Sequence, residues 1–183
     1  MKYIIVSDIF GKTPALALFA QSLSANNDYT IVDPYQNENI HFSNEAQAYQ
    51  YFSEHVGFEK YYQQLCESLF SMTEPFRLIG FSVGAAICWR YSAENNSCYL
   101  MKSDLFYGSQ IRNMLTLEPL SPVNLILPQS EAHFSIADLT QTLEIKKHIK
   151  IEQTEYLHGF MNVLSKNYHQ QAYLHYLHYL SDV

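Results

Sequence analysis

Gly80-Phe81-Ser82-Val83-Gly84 is the stretch that most limits what this chain can become. A β-like run, Arg77-Leu78-Ile79, leads into it, and a helix-like run, Ala85-Ala86-Ile87-Cys88-Trp89-Arg90-Tyr91, leaves it. A serine flanked by glycines between a strand and a helix marks a tight bend that holds the hydroxyl clear of the sheet. The glycines are needed because the two backbones come too close there for side chains. The motif gains weight from the elements around it.

Those elements alternate. Lys2–Val6 reads as a short buried strand, and Thr13-Pro14 supplies an N-cap and first-turn proline for a helix over about 15–23. Tyr29–Val32 is a second strand, stopped by Asp33-Pro34, and residues 35–44 are polar loop. Helical periodicity covers 45–55 and 58–70, with Gly57 between them. Strands follow at 76–80, 102–107, 123–127 and 148–155, and helices at 83–92, 136–145 and 162–180. This pattern predicts an α/β domain over 1–183, with helices on both faces of a mostly parallel six-stranded sheet. In such sheets the working residues lie on loops at the carboxyl ends of the strands.

Composition removes several classes of function. A chain of 183 residues with 48% hydrophobic content can bury a core without disulfides or metals. The net charge of −7, with 11 Lys plus Arg in no cluster, argues against nucleic acid or an anionic membrane as partner. Cys66, Cys88 and Cys98 are odd in number and lack metal-ligand spacing, which points to reduced thiols and a cytoplasmic setting. The first residues reach Asp8 too soon for a signal-peptide core, and no run approaches the length of a transmembrane helix.

A serine hydroxyl needs an adjacent base, and the base needs a group that fixes its tautomer. Four histidines compete for that role. His55 ends a helix, His133 shares a loop with an acid, His148 begins a strand, and His158 follows the sixth strand in Tyr156-Leu157-His158-Gly159-Phe160. Only His158 sits on a loop at the carboxyl edge after a strand with a glycine to turn the chain. For the acid, the loop after the fifth strand offers Glu131, while Asp138 falls inside the next helical pattern. The order Ser82, Glu131, His158, with spacings of 49 and 27 residues, leaves about one strand–helix unit between neighbours. An acyl-transfer oxyanion needs two backbone N–H donors. Val83, immediately after the serine, supplies one, and the loop Ser7-Asp8-Ile9-Phe10-Gly11 supplies the other, at Ile9.

Together these segments resemble a family. Ile4-Ile5-Val6-Ser7-Asp8-Ile9-Phe10-Gly11 is similar to the strand and acid-Ile-Phe-Gly loop of dienelactone hydrolases, as is Val32-Asp33-Pro34-Tyr35. Phe106-Tyr107-Gly108, Glu131-Ala132-His133-Phe134 and His158-Gly159-Phe160 resemble that family's fourth-strand, acid and histidine loops. The resemblance runs from residue 3 to about 165 and is thin over 36–75. It implies the α/β-hydrolase fold in a minimal form that lacks the N-terminal extra strands. It also implies an oxyanion hole of Ile9 and Val83 and places Asp8 beside the nucleophile. The chain departs from the family in having Ser82 for cysteine, Glu131 for aspartate, and Asn162 where a substrate-gripping arginine is expected.

The expectation is a serine hydrolase acting on a small ester, thioester or lactone, with Asp8, Phe10, Phe81 and Tyr107 as pocket residues. No metal or organic cofactor is implied, and a homodimer stays open. Two other readings compete: a hydrolase-like scaffold that binds a ligand or partner without turnover, and a flavodoxin-like or nucleotide-binding domain. The second lacks a G-x-G-x-x-G or Walker-type loop after any strand. His175 and His178 on the last helix lack a third ligand nearby, so half-buried packing is their expected role.

Overall fold

The computed structural model describes residues 1–23, 28–38 and 40–181. Six strands, β1 (Lys2–Val6), β2 (Tyr29–Val32), β3 (Phe76–Phe81), β4 (Leu100–Phe106), β5 (Val123–Leu127) and β6 (Ile149–Gln153), form one sheet in the order β2-β1-β3-β4-β5-β6. Each neighbouring pair among them is parallel. The helices are α1 (Pro14–Leu23), α2 (Glu45–His55), α3 (Gly57–Leu69), α4 (Val83–Glu94), α5 (Ile136–Leu143) and α6 (Gln170–Ser181). The strand order reverses direction between β1 and β3, and crevices at such switch points are where ligands bind in open α/β sheets.

Strand alternation divides the apolar residues into two layers. Ile4, Val6, Leu78, Leu105, Leu125 and Leu127 face α2, α3, α4 and α5, with Trp89 and Tyr61 among the side chains they meet. Tyr3, Ile5, Ile79, Phe81, Phe106 and Ile126 face α1 and α6, where Phe19, Tyr176 and Leu180 close the opposite layer. This is the three-layer arrangement that the sequence predicts.

Most elements fall within a residue or two of their expected bounds, and the last helix departs furthest. The sequence predicts a helix from 162, but α6 begins at Gln170. Residues 162–169 instead make successive tight turns, with Asn162 N–H donating to the Gly159 carbonyl, Ser165 N–H to Asn162 and Tyr168 N–H to Ser165. Side chains compete for the backbone here: the Asn162 side-chain oxygen accepts from Leu164 N–H, and Ser165 Oγ accepts from Asn167 N–H. His169 then caps α6, its Nδ1 accepting from Ala172 N–H at 3.3 Å. Among the described residues no helix is long and apolar enough to cross a membrane.

Candidate active site

Ser82 occupies the single residue between β3 and α4. Its N–H still donates to the Phe106 carbonyl at 3.0 Å, so the sheet ladder holds it from below. Its φ of 52° and ψ of −115° lie where side chains are rarely found, a strain of about 1–3 kcal/mol that the surrounding structure must over-determine. The two motif glycines supply the space. A Cβ on Gly80 would stand 2.6 Å from the Ala85 Cα, and one on Gly84 would stand 2.4 Å from the carbonyl oxygens of Val6 and Ser7. The Ser82 hydroxyl does not cap α4. It turns away and meets His158 Nε2 at 3.0 Å.

His158 lies on the loop after β6. Its carbonyl accepts from Asn167 Nδ2 at 2.8 Å, and its ring packs on Tyr107 with centroids 5.0 Å apart. On its far side, Nδ1 lies 2.6 Å from Glu131 Oε1. An ionised carboxylate only accepts, so the proton sits on Nδ1 and leaves the Nε2 lone pair facing the serine hydroxyl. The imidazole is 24% exposed and the Glu131 side chain 13%, so water competes little for their bond. Asp138, the other acid considered, is exposed in the first turn of α5, where its N–H donates to the Ser135 cap. The other candidate histidines lie apart: His55 stacks on Tyr51, His133 is exposed on the cleft wall, and His148 precedes β6.

Ile9 and Val83 line the same cleft as Ser82 and His158. Val83 is the first residue of α4, so its N–H has no carbonyl within the helix to meet. The Ile9 N–H also donates to no partner among the described residues. The loop around Ile9 is tied down on all sides. Gly11 N–H donates to the Asp8 carbonyl, Phe10 N–H to Asp8 Oδ1, and the Tyr35 hydroxyl to the Ile9 carbonyl at 2.6 Å.

The cleft over Ser82 has a volume of about 680 Å³. Glu45, Tyr49 and Phe52 of α2 form one wall, and the Glu131 and His158 loops form the other. Lys166 and Asn167, which the sequence reading does not single out, also line it; they come from the turns that replace the expected start of the last helix. The only signal for them is the crowding of Asn162, Ser165 and Asn167, residues that favour turns.

None of the four expected pocket residues lines this cleft, although the Tyr107 ring packs against His158 from behind. Asp8, Phe81 and Tyr107 border a separate cavity of about 30 Å³ beneath α1, and Phe10 borders a groove beside Phe42. The reason is strand alternation, which sends Phe81 to the α1 face while the bend after it lifts Ser82 out of the sheet. Asp8 makes no bond to Ser82; its Oδ2 accepts from Asn162 Nδ2 at 2.6 Å. Burial pushes the Asp8 carboxyl above its usual range and the Tyr107 phenol well above its own. Burial likewise raises the Cys88 thiol, which stays protonated in the core. Among the described residues, no three His, Cys, Asp or Glu side chains group closely enough to hold a metal ion.

No family model matches the sequence. Over 87 residues, 46% of this chain, it is 41% identical to the uncharacterized protein YczH of Bacillus subtilis (strain 168), and the match spans 42% of that protein's length. Solved structures resemble the whole molecule. A dienelactone hydrolase-like promiscuous phosphotriesterase from metagenomic libraries superposes with a TM-score of 0.64 at 11% identity, covering 99% of this chain and 85% of the other. Est1E of Butyrivibrio proteoclasticus gives 0.60 at 8%, covering 98% and 85%. An α/β serine hydrolase homologue from Coxiella burnetii gives 0.59 at 9%, covering 98% and 83%. At such identities the likeness is one of architecture, and that architecture is the α/β-hydrolase fold.

Proposed function

We propose that this protein is a serine hydrolase that cleaves small acyl esters, thioesters or lactones through Ser82, His158 and Glu131. The observation that carries this reading is the unbroken contact from Ser82 Oγ to His158 Nε2 at 3.0 Å and from His158 Nδ1 to Glu131 at 2.6 Å. A strained serine held against an imidazole, which is held in turn by a carboxylate, is the arrangement that makes a hydroxyl nucleophilic near neutral pH.

In the reaction, Ser82 Oγ attacks the substrate carbonyl carbon as its proton passes to His158 Nε2. Glu131 keeps Nδ1–H oriented and offsets the charge of the imidazolium. The carbonyl oxygen becomes an oxyanion that accepts from Ile9 and Val83 N–H. Collapse breaks the bond to the leaving alcohol or thiol, which takes the proton from His158. A water then attacks the acyl-serine by the same route and frees the acid and Ser82. No step calls on a metal or organic cofactor.

Fluorophosphonate labelling with mapping of the modified peptide tests this before any substrate is known. Label on Ser82, together with p-nitrophenyl acetate turnover that disappears in Ser82→Ala, is the expected result. A folded wild-type protein with neither label nor turnover would leave a binding scaffold as the better reading.

A further inference from the structure

The direction of the Ile9 N–H is set by the other end of its own planar peptide unit, the Asp8 carbonyl. Two donors hold that carbonyl: the Gly11 N–H at 3.1 Å and the Ser7 hydroxyl at 3.1 Å. Ser7 is fully buried, and its Oγ lies 3.2 Å from the hydroxyl of Tyr61. Tyr61 comes from α3 and is fully buried as well. Its hydroxyl also reaches the main-chain carbonyls of Ser7 at 3.0 Å and Val32 at 2.9 Å. One phenol from a helix behind the cleft thus stands where β1 and β2 end and the oxyanion loop departs, with its single proton within reach of Ser7 Oγ and of two carbonyls. Burial holds this phenol well above its usual range, so it stays protonated and able to donate. A phenylalanine would fill the same space, so packing alone does not account for the hydroxyl.

We propose that Tyr61 and Ser7 are positioning residues for the oxyanion hole: the run from Tyr61 hydroxyl to Ser7 hydroxyl to Asp8 carbonyl sets the angle at which Ile9 N–H meets the developing charge. The inference rests on the serine-hydrolase reading. Neither residue lines the cleft, so neither touches substrate. A ground-state ester carbonyl tolerates a misdirected donor, whereas the tetrahedral oxyanion depends on it. Loss of the run therefore lowers kcat and leaves KM nearly unchanged.

The test uses Ser7→Ala and Tyr61→Phe in the intact chain, with p-nitrophenyl acetate as substrate. A second probe is a trifluoromethyl ketone, which adds Ser82 to form a hemiketal oxyanion. Total loss of an oxyanion donor costs on the order of 10²–10³ in rate, so a misdirected one is expected to cost about 10-fold in kcat. KM should stay within about twofold, and ketone affinity should fall by the same factor as kcat. The double variant should lose little more than the worse single, since both act on one peptide. Should Tyr61→Phe fail to fold, Ser7→Ala decides alone, because it leaves the Tyr61 hydroxyl in place with its one proton free to go to the Ser7 or the Val32 carbonyl. Unchanged kcat and ketone affinity in Ser7→Ala, beside an active wild type, overturn this inference and leave the serine-hydrolase reading standing. A wild type without label or turnover overturns both.

Discussion

Gly84 lies so close to Ser7 that a Cβ built on it would stand 2.4 Å from the Ser7 carbonyl oxygen. That contact presses the start of α4, with the Val83 N–H, against the end of β1, from which the Ile9 loop departs. The spacing of the two candidate oxyanion donors is thus a consequence of one backbone-to-backbone approach. It also explains why the second motif glycine admits no side chain.

Gly84→Ala should therefore damage activity more than stability. The obstructing atoms are main-chain oxygens, which cannot swing aside, so α4 must retreat from β1. Overpacking of this kind costs about 1–3 kcal/mol, while a retreat of even ~1 Å at the donors can cost about 10² in rate. Gly108→Ala is the comparison, because its added methyl would meet the movable Ile111 Cδ1 at 2.8 Å. Denaturant midpoints and esterase rates for both variants check this, and equal rate losses would count against the geometric account.

Glu131→Gln keeps the size of the side chain and removes its charge. The bond to His158 Nδ1, 2.6 Å long, is then offered either a neutral acceptor or an amide donor. The second choice puts the proton on the wrong nitrogen, which in the well-studied serine-protease case costs about 10⁴ in kcat. A fall in kcat of about 10²–10⁴ with little change in KM is expected here. Asp138→Asn should leave both constants where they are, since Asp138 faces solvent in α5.

A buried ion pair fastens the last helix to the sheet. Arg77 Nε donates to Asp104 Oδ2 at 2.5 Å, and Arg77 also reaches the Leu180 carbonyl at 3.2 Å. Asn124 Nδ2 and the Tyr179 hydroxyl donate to the other Asp104 oxygen, and Lys102 Nζ pairs with it at 3.3 Å. Arg77→Met leaves the fully buried Asp104 carboxylate with the part-exposed Lys102 as its cationic partner, so the cost should stay below the about 3–5 kcal/mol of stranding a buried charge outright. Arg77→Met with Asp104→Leu should recover part of that loss, because no buried charge remains. Urea unfolding of the two variants would measure the difference.

β1, β2 and β5 could be bounded from the letters alone because each is a short run rich in β-branched or apolar residues closed by Ser7-Asp8, Asp33-Pro34 or Pro128. Ser82, Glu131 and His158 could be singled out because each follows a strand at the carboxyl edge. Three features were not legible. The segment 162–169 has helical spacing, yet its asparagines and serines prefer side-chain-to-backbone bonds. Phe81 adjoins Ser82 in the chain but faces the opposite layer, and sequence proximity carries no record of the bend between them. The Arg77–Asp104 pair depends on the register of β3 against β4, which shifts between Phe76 and Arg77 and is fixed only on folding.

Asp8 gives the fold a pH dependence whose sign can be worked out. Burial is the dominant influence and raises its pKa above the usual 3.8, outweighing the hydrogen bonds from Asn162 and Phe10 N–H. The nearby His158 acts to lower it, and Glu45 to raise it. A carboxyl that holds its proton more tightly in the folded chain favours folding fully below its unfolded pKa, and that contribution is lost as pH rises through the folded value. Asp8→Asn cannot lose a proton, so it escapes the loss. Rearranged bonds to Asn162 would shift the variant's stability by a constant at every pH, leaving the slope as the diagnostic quantity. The difference in Tm, Asp8→Asn minus wild type, should therefore rise between about pH 4 and pH 8. Thermal melts across that range decide the matter, and a difference that stays level or falls would mean that the Asn162 and Phe10 bonds, rather than burial, govern this carboxylate.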